Sequence, residues 1–151
     1  MCDLTHTGIG INANVFPLGL GSVASYLLKE LEGKVNCKLF KFPDKLNNAL
    51  QEEKPDVVCM SCYSWNENLT YIYAKYIKEK YPKTLIIFGG PNLPHEEVKR
   101  KIYLQKNKAI DFYIKWDGEY ALTNLMKKYF ESGLDIQKLK TSNILLDNKK
   151  L

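Results

Sequence analysis

Two rhythms of apolar residues run through this chain. In Val57-Val58-Cys59-Met60 and again in Leu85-Ile86-Ile87-Phe88 they follow one another without polar interruption, the pattern of parallel strands covered by helices on both faces. Val35 to Phe42 alternates instead, with Val35, Cys37, Leu39 and either Phe40 or Phe42 facing inward, which predicts an outer strand. Met1 to Thr7 and Ala109 to Lys115 read as the first and fifth strands.

The other rhythm is helical, apolar residues recurring three and four positions apart. Val23, Ala24, Leu27, Leu28 and Leu31 form one stripe of a helix that begins at Pro17 or Gly19 and stops at Gly33. A shorter helix carries Leu46, Ala49 and Leu50. A third, capped by Asn66 or Asn68, carries Leu69, Ile72, Tyr73, Tyr76 and Ile77 and closes at Pro82. Pro94, His95, Glu96 and Glu97 open a fourth. Leu122, Leu125, Met126, Tyr129 and Phe130 mark the last, Ala121 to Ser132, with Gly133 as its stop.

Strands alternating with helices across short loops specify an α/β domain, doubly wound, with a five-stranded parallel sheet between two helical layers. Because the most apolar strands are third and fourth in the chain, the expected strand order is 2-1-3-4-5. The rhythm breaks after Gly133. Residues 134–151 are lysine-rich around a short Ile144-Leu145-Leu146 and read as a linker, or as the start of a further domain, behind a unit spanning 1–133.

With 151 residues, 45% hydrophobic and 26% charged, the chain suits one soluble domain that needs no disulfide or metal to hold its core. No apolar run approaches the roughly 20 residues of a membrane span, and Met1 to His6 lacks the basic start of a signal peptide, so a cytoplasmic location is expected. The net charge of +5 comes from lysines scattered over helix faces, and Arg100 is the one arginine, a distribution unlike that of a nucleic-acid binder. Cys59 and Cys62 form a Cys-x-x-Cys, but strand alternation puts them on opposite faces and no second ligand pair accompanies them, so both are read as buried thiols.

Ligands of such sheets bind beyond the carboxyl ends of the strands. Four loops should meet there: 8–16, Ser61 to Asn66, Gly89 to Asn92, and Trp116 to Glu119. They offer hydroxyls, rings and paired glycines without clustered cations, which suits a bulky cofactor held by backbone and shape better than a polyphosphate.

Pro17-Leu18-Gly19-Leu20, Pro55-Asp56-Val57-Val58 leading to Ser61 and Trp65-Asn66, Gly89-Gly90-Pro91, and Asp111 followed by Gly118-Glu119 together resemble the cobalamin-binding domain found in front of many radical S-adenosylmethionine enzymes. The resemblance covers Met1 to Gly133. It implies a flavodoxin-like, Rossmann-like sandwich with the corrinoid over the carboxyl edge and its nucleotide tail inserted between strands and helices. The implied cofactor-binding residues are Thr7, Gly8, Pro17, Leu18, Ser61, Tyr63, Ser64, Trp65, Gly89, Gly90, Pro91, Gly118 and Glu119. Among them Ser61 and Tyr63 contact the tail, Gly89-Gly90 leaves room for it, and Gly118-Glu119 borders the same cleft. It also implies a downstream radical S-adenosylmethionine domain as partner, carrying S-adenosylmethionine and an iron-sulfur cluster, and a methyl transfer or ring-forming reaction. The Cys-x-x-x-Cys-x-x-Cys of such a domain is absent here, and the chain alone is read as not catalytic.

The chain departs from the pattern at two places. Related cobalamin domains carry Asp-x-His-x-x-Gly after the first strand, whereas Asp3-Leu4-Thr5-His6-Thr7-Gly8 has another spacing, which argues against His6 as a cobalt ligand. The family's exit loop usually reads Gly-Glu-Gly-Glu, and here it is Trp116-Asp117-Gly118-Glu119, a change at the rim of the site. An alternative is a flavodoxin-type FMN-binding electron carrier, because Thr5-His6-Thr7-Gly8-Ile9-Gly10 approaches its phosphate loop. Yet such a loop should run straight into a helix, and Asn12, Asn14 and Pro17 delay it.

Overall fold

The computed structural model describes residues 1–7 and 15–141. Its elements are α1 (Leu18–Glu30), α2 (Pro43–Glu52), β1 (Val57–Ser61), α3 (Glu67–Lys80), β2 (Leu85–Gly89), α4 (Glu97–Lys106), β3 (Phe112–Ile114), α5 (Gly118–Glu131) and α6 (Ile136–Thr141). No helix among the described residues is long and apolar enough to cross a membrane.

The three strands pair in parallel in the order β1-β2-β3, with Val57 opposite Leu85 and Ile87 opposite Phe112. Central β2 is apolar throughout because neither face meets water: Leu85, Ile86, Ile87 and Phe88 are each at most 1% exposed. Burying side chains of that size contributes roughly 1.5–3 kcal/mol apiece. Outside these strands the expected pairing takes the form of single bridges. Cys2 lies between Phe40 and Met60, parallel to both, with Phe40 N donating to Met1 O and Cys2 N to Cys59 O, each at 2.8 Å. No longer ladder forms at residues 38–41, where Leu39 is exposed and α2, starting at Pro43, ends the pairing.

Helices cover both faces. Leu85, Ile87 and Ile114 face Leu27 and Leu31 at the end of α1, Leu122, Leu125 and Met126 of α5, and Leu139 of α6. Val58, Met60, Ile86 and Phe88 face Leu46 and Leu50 of α2 and Ala74 and Ile77 of α3. Of the stripe expected on α3, Leu69, Tyr73 and Ile77 pack on the core, whereas Ile72 and Tyr76 are exposed and Thr70 and Ala74 are buried in addition. Small residues let the helix approach the sheet, and Tyr76 stays outside, edge-on to Tyr73 with Lys80 over its ring. Cys59 packs with the α1/α5 side and Cys62 with the α2/α3 side, the separation that strand alternation requires.

Within the expected linker, Ile136–Thr141 forms α6, whose Leu139 is 1% exposed in the core. Its Lys140 pairs with Asp111 at 2.7 Å. Ile144-Leu145-Leu146 and the loop from Gly8 to Asn14 lie outside the described residues.

Candidate functional site

At the carboxyl ends of the strands, Cys59 and Ser61 of β1, Ile87 and Gly89 of β2 and Ile114 of β3 line a cavity of about 240 Å³ beneath the first turns of α1 and α5. Leu20 and Val23 of α1 and Leu122 of α5 complete its apolar wall, and Tyr63, Trp116 and Glu119 stand at its mouth. The volume is below the roughly 300–1,000 Å³ of a pocket that encloses a whole drug-sized ligand. A larger ligand could insert only one end here.

Gly89 creates this space. It follows Ile87 on the same side of β2, and a Cβ added to it would meet only Ile114 O, at 3.9 Å. Any larger residue would send its side chain into the cavity. Gly90, also in the cavity wall, has φ +111°, and a Cβ there would lie 2.6 Å from Cys62 O, so its missing side chain makes room for the backbone of the neighbouring loop. Tyr113 Oη donates to Gly90 O at 3.3 Å and fixes that turn.

Gly118 and Glu119 open α5 instead of lying in a loop, since the chain turns within Lys115–Asp117. A Cβ on Gly118 would come within 2.9 Å of Val23 Cγ2, so this glycine allows α1 and α5 to meet. Glu119 Oε1 accepts from Ser22 Oγ at 2.7 Å, tying the two helices together at a helix amino end that favours a carboxylate. Trp116, which makes the turn, has φ +68°, a left-handed conformation that costs a non-glycine residue roughly 1–2 kcal/mol.

The loop after β1 is shaped by Asn66, which is fully buried. It occupies the N-cap position of α3, but its side chain serves the loop: Oδ1 accepts from Tyr63 N at 2.8 Å, and Nδ2 donates to Leu4 O at 3.1 Å and Ser61 O at 3.3 Å. Tyr63 and Trp65 stack with ring centroids 4.4 Å apart. His6 Nε2 meets Trp65 O at 3.1 Å, and because a carbonyl only accepts, that nitrogen carries the hydrogen.

Ser61, Tyr63, Gly89, Gly90, Gly118 and Glu119 thus surround one cavity. Thr7, Pro17, Leu18, Ser64, Trp65 and Pro91 are not among its walls, and all but Pro17 are exposed. Gly8 lies outside the described residues.

Residues 8–126 match the B12 binding domain family. The chain belongs to that family. It is also similar to the cobalamin-dependent radical SAM methyltransferase TokK of Streptomyces tokunonensis, 34% identical over 124 residues that make up 78% of this chain and 18% of that protein. The 2-(S-pantetheinyl)-carbapenam-3-carboxylate methyltransferase of Streptantibioticus cattleyicolor is 30% identical over 125 residues, again 78% of this chain and 18% of the relative. The chain therefore spans less than a fifth of each relative's length.

For a B12-binding domain, cobalamin is the cofactor, and the cavity fits it in kind: a corrinoid is far larger than the cavity but carries a narrow nucleotide tail, and Gly89 leaves a slot without a side chain. In the cavity wall, burial pushes the Cys59 thiol up to about 12, so it remains neutral near pH 7. It also raises the Tyr63 phenol. Among the described residues no group of His, Cys, Asp and Glu could hold a metal ion. The Ser61 hydroxyl has no hydrogen-bond partner among the described residues and is available to a ligand. Cys59 and Ile87 were not singled out as wall residues by the sequence, although they sit two positions before Ser61 and Gly89 and strand alternation could have found them. Nothing about a tryptophan signals a positive φ, so the turn at Trp116 had no such sign.

Proposed function

We propose that this chain is the cofactor-holding module of a cobalamin-dependent radical S-adenosylmethionine methyltransferase, with the nucleotide tail in the cavity under Gly89 and the corrin ring over the carboxyl edge. The observation that carries this reading is the cavity itself, opened by a glycine on the ligand-binding edge of a B12-family sheet. When bound, cobalamin supplies the cobalt chemistry of the methyl transfer. This chain's residues would hold and orient it: Ser61 and Tyr63 would meet the tail, Gly89 leaves its path clear, and Gly118 and Glu119 keep α1 and α5 at the spacing the tail requires.

The catalytic domain, with S-adenosylmethionine and its iron-sulfur cluster, would lie in further sequence. The small share of each relative that the chain spans supports this. The single bridges at Cys2 support completion of the sheet as five strands in the order 2-1-3-4-5, and burial of Leu139 supports a unit that closes with α6.

A visible-spectrum titration with hydroxocobalamin tests the reading. Wild type should bind, and Gly89→Val should lose binding while keeping its circular dichroism, because the added side chain meets the cavity rather than the protein. Equal binding by folded Gly89→Val would remove the tail from this cavity.

A further inference from the structure

Trp116 is the residue at the mouth whose presence the fold does not explain. It holds a left-handed backbone at φ +68°, where glycine would fit without strain, and it is 61% exposed. Lys115 Nζ stands 5.1 Å from its ring centroid and the His95 ring 6.0 Å away. Leu134 also has a positive φ, +62°, but there the turn ends α5, with Leu134 N donating to Tyr129 O at 3.0 Å. Among the described residues no such backbone bond accompanies the turn at Trp116. Strain kept at an exposed aromatic on the edge of a cavity is the mark of a residue retained for its ligand.

We propose that Trp116 is a ligand-contacting residue, its indole closing the mouth of the cavity over the nucleotide tail and thereby distinguishing tailed from tail-less corrinoids. This rests on the reading of the cavity as the tail pocket.

The test compares wild type, Trp116→Gly and Trp116→Phe of the full chain, each titrated with hydroxocobalamin and with diaquocobinamide, which has the same corrin without the nucleotide. Thermal melting runs alongside. Trp116→Gly should melt at the wild-type temperature or up to about 4 °C above it, because strain is relieved. It should bind hydroxocobalamin on the order of tenfold more weakly, the loss of one base-to-ring contact. Diaquocobinamide should bind all three proteins alike, and Trp116→Phe should keep most of the affinity for hydroxocobalamin. Unchanged hydroxocobalamin affinity in Trp116→Gly, or an equal loss for both corrinoids, overturns the proposal while leaving the tail pocket standing. Wild type that binds neither corrinoid overturns both.

Discussion

The two ends of the parallel sheet differ in how much they leave unfilled. At the amino ends of β2 and β3 polar groups are paired within the fold: Asp111, its side chain 5% exposed, accepts from Ile86 N at 2.9 Å and pairs with Lys78 at 2.5 Å and Lys140 at 2.7 Å. Thr84 Oγ1 donates to Pro55 O at 2.7 Å, and Tyr81 Oη to Leu50 O at 2.6 Å. At the carboxyl ends Ser61 keeps a free hydroxyl among the described residues, Phe16, Leu18, Trp65, Trp116 and Tyr120 are exposed, and Gly89 leaves volume unfilled. Both ends use polar groups to hold the fold, through Asp111 at one and Asn66 and the Ser22–Glu119 pair at the other, but only the carboxyl end also leaves a hydroxyl and volume open beside them. A larger cavity, about 390 Å³, opens beside the amino end of β1, but of the residues around the first cavity only Met1 and Cys59 reach it, and none of the implied cofactor-binding residues lines it. Chemistry, more than volume, marks the site.

The sharpest break of this contrast falls within the carboxyl edge, between adjacent glycines. Gly90→Ala places a Cβ against Cys62 O and forces alanine into φ +111°, so a loss of about 3 kcal/mol or more is expected in urea unfolding. Gly89→Ala should stay within about 1 kcal/mol of wild type, since its Cβ has a clear path. If the two substitutions cost the same, the separation of a structural from a ligand-facing glycine is wrong.

At the amino edge the expected effect is smaller and confined to stability. Asp111→Ala leaves Ile86 N without its side-chain acceptor and two lysines without their carboxylate, although Lys78 still donates to Thr84 O at 2.7 Å. Lys78 and Lys140 retain 20% and 38% side-chain exposure and can turn to water, which reduces the penalty of a fully buried broken pair to about 2 kcal/mol. Affinity for hydroxocobalamin should not change. A variant that folds as well as wild type but binds the corrinoid more weakly would show that the two edges are coupled.

What the sequence could reveal was what repeats along it. The unbroken apolar run of β2 announced a central strand, and the glycines and hydroxyls following β1 and β2 placed a ligand edge. Contacts distant in sequence stayed hidden. Gly89 and Gly90 are identical letters, and only the position of Cys62 gives them different tasks. Asn66 has the letter of a helix cap, yet Leu4 O and Tyr63 N draw its side chain into the loop. The α3 stripe held at Leu69, Tyr73 and Ile77 but not at Ile72 and Tyr76, because periodicity counts bulky apolar residues, whereas the sheet accepted Thr70 and Ala74 for their small size. Gly118 read as a loop residue because the approach of Val23 from α1 has no local sign.

The smallest effect is expected at His6, and it separates a positioning contact from a metal bond. The His6 Nε2–H donates to Trp65 O at 3.1 Å, holding the residue that stacks on Tyr63 at the cavity mouth. Losing one such partly exposed hydrogen bond in His6→Ala should cost about 0.5–1 kcal/mol. Trp65 O then turns to water, and the stack on Tyr63 persists through its own ring contact. The visible spectrum of bound hydroxocobalamin should match that of wild type, and the affinity should stay within about twofold, since less than 1 kcal/mol is at stake. Were His6 a cobalt ligand, the nitrogen engaged with Trp65 O would have to leave that carbonyl, or the other ring nitrogen would have to reach the metal. In either case replacing it by alanine would change the axial coordination and shift the spectrum at saturation. A spectral shift specific to His6→Ala would therefore assign the metal bond, and an unchanged spectrum with slightly lower stability would leave His6 as a loop clasp.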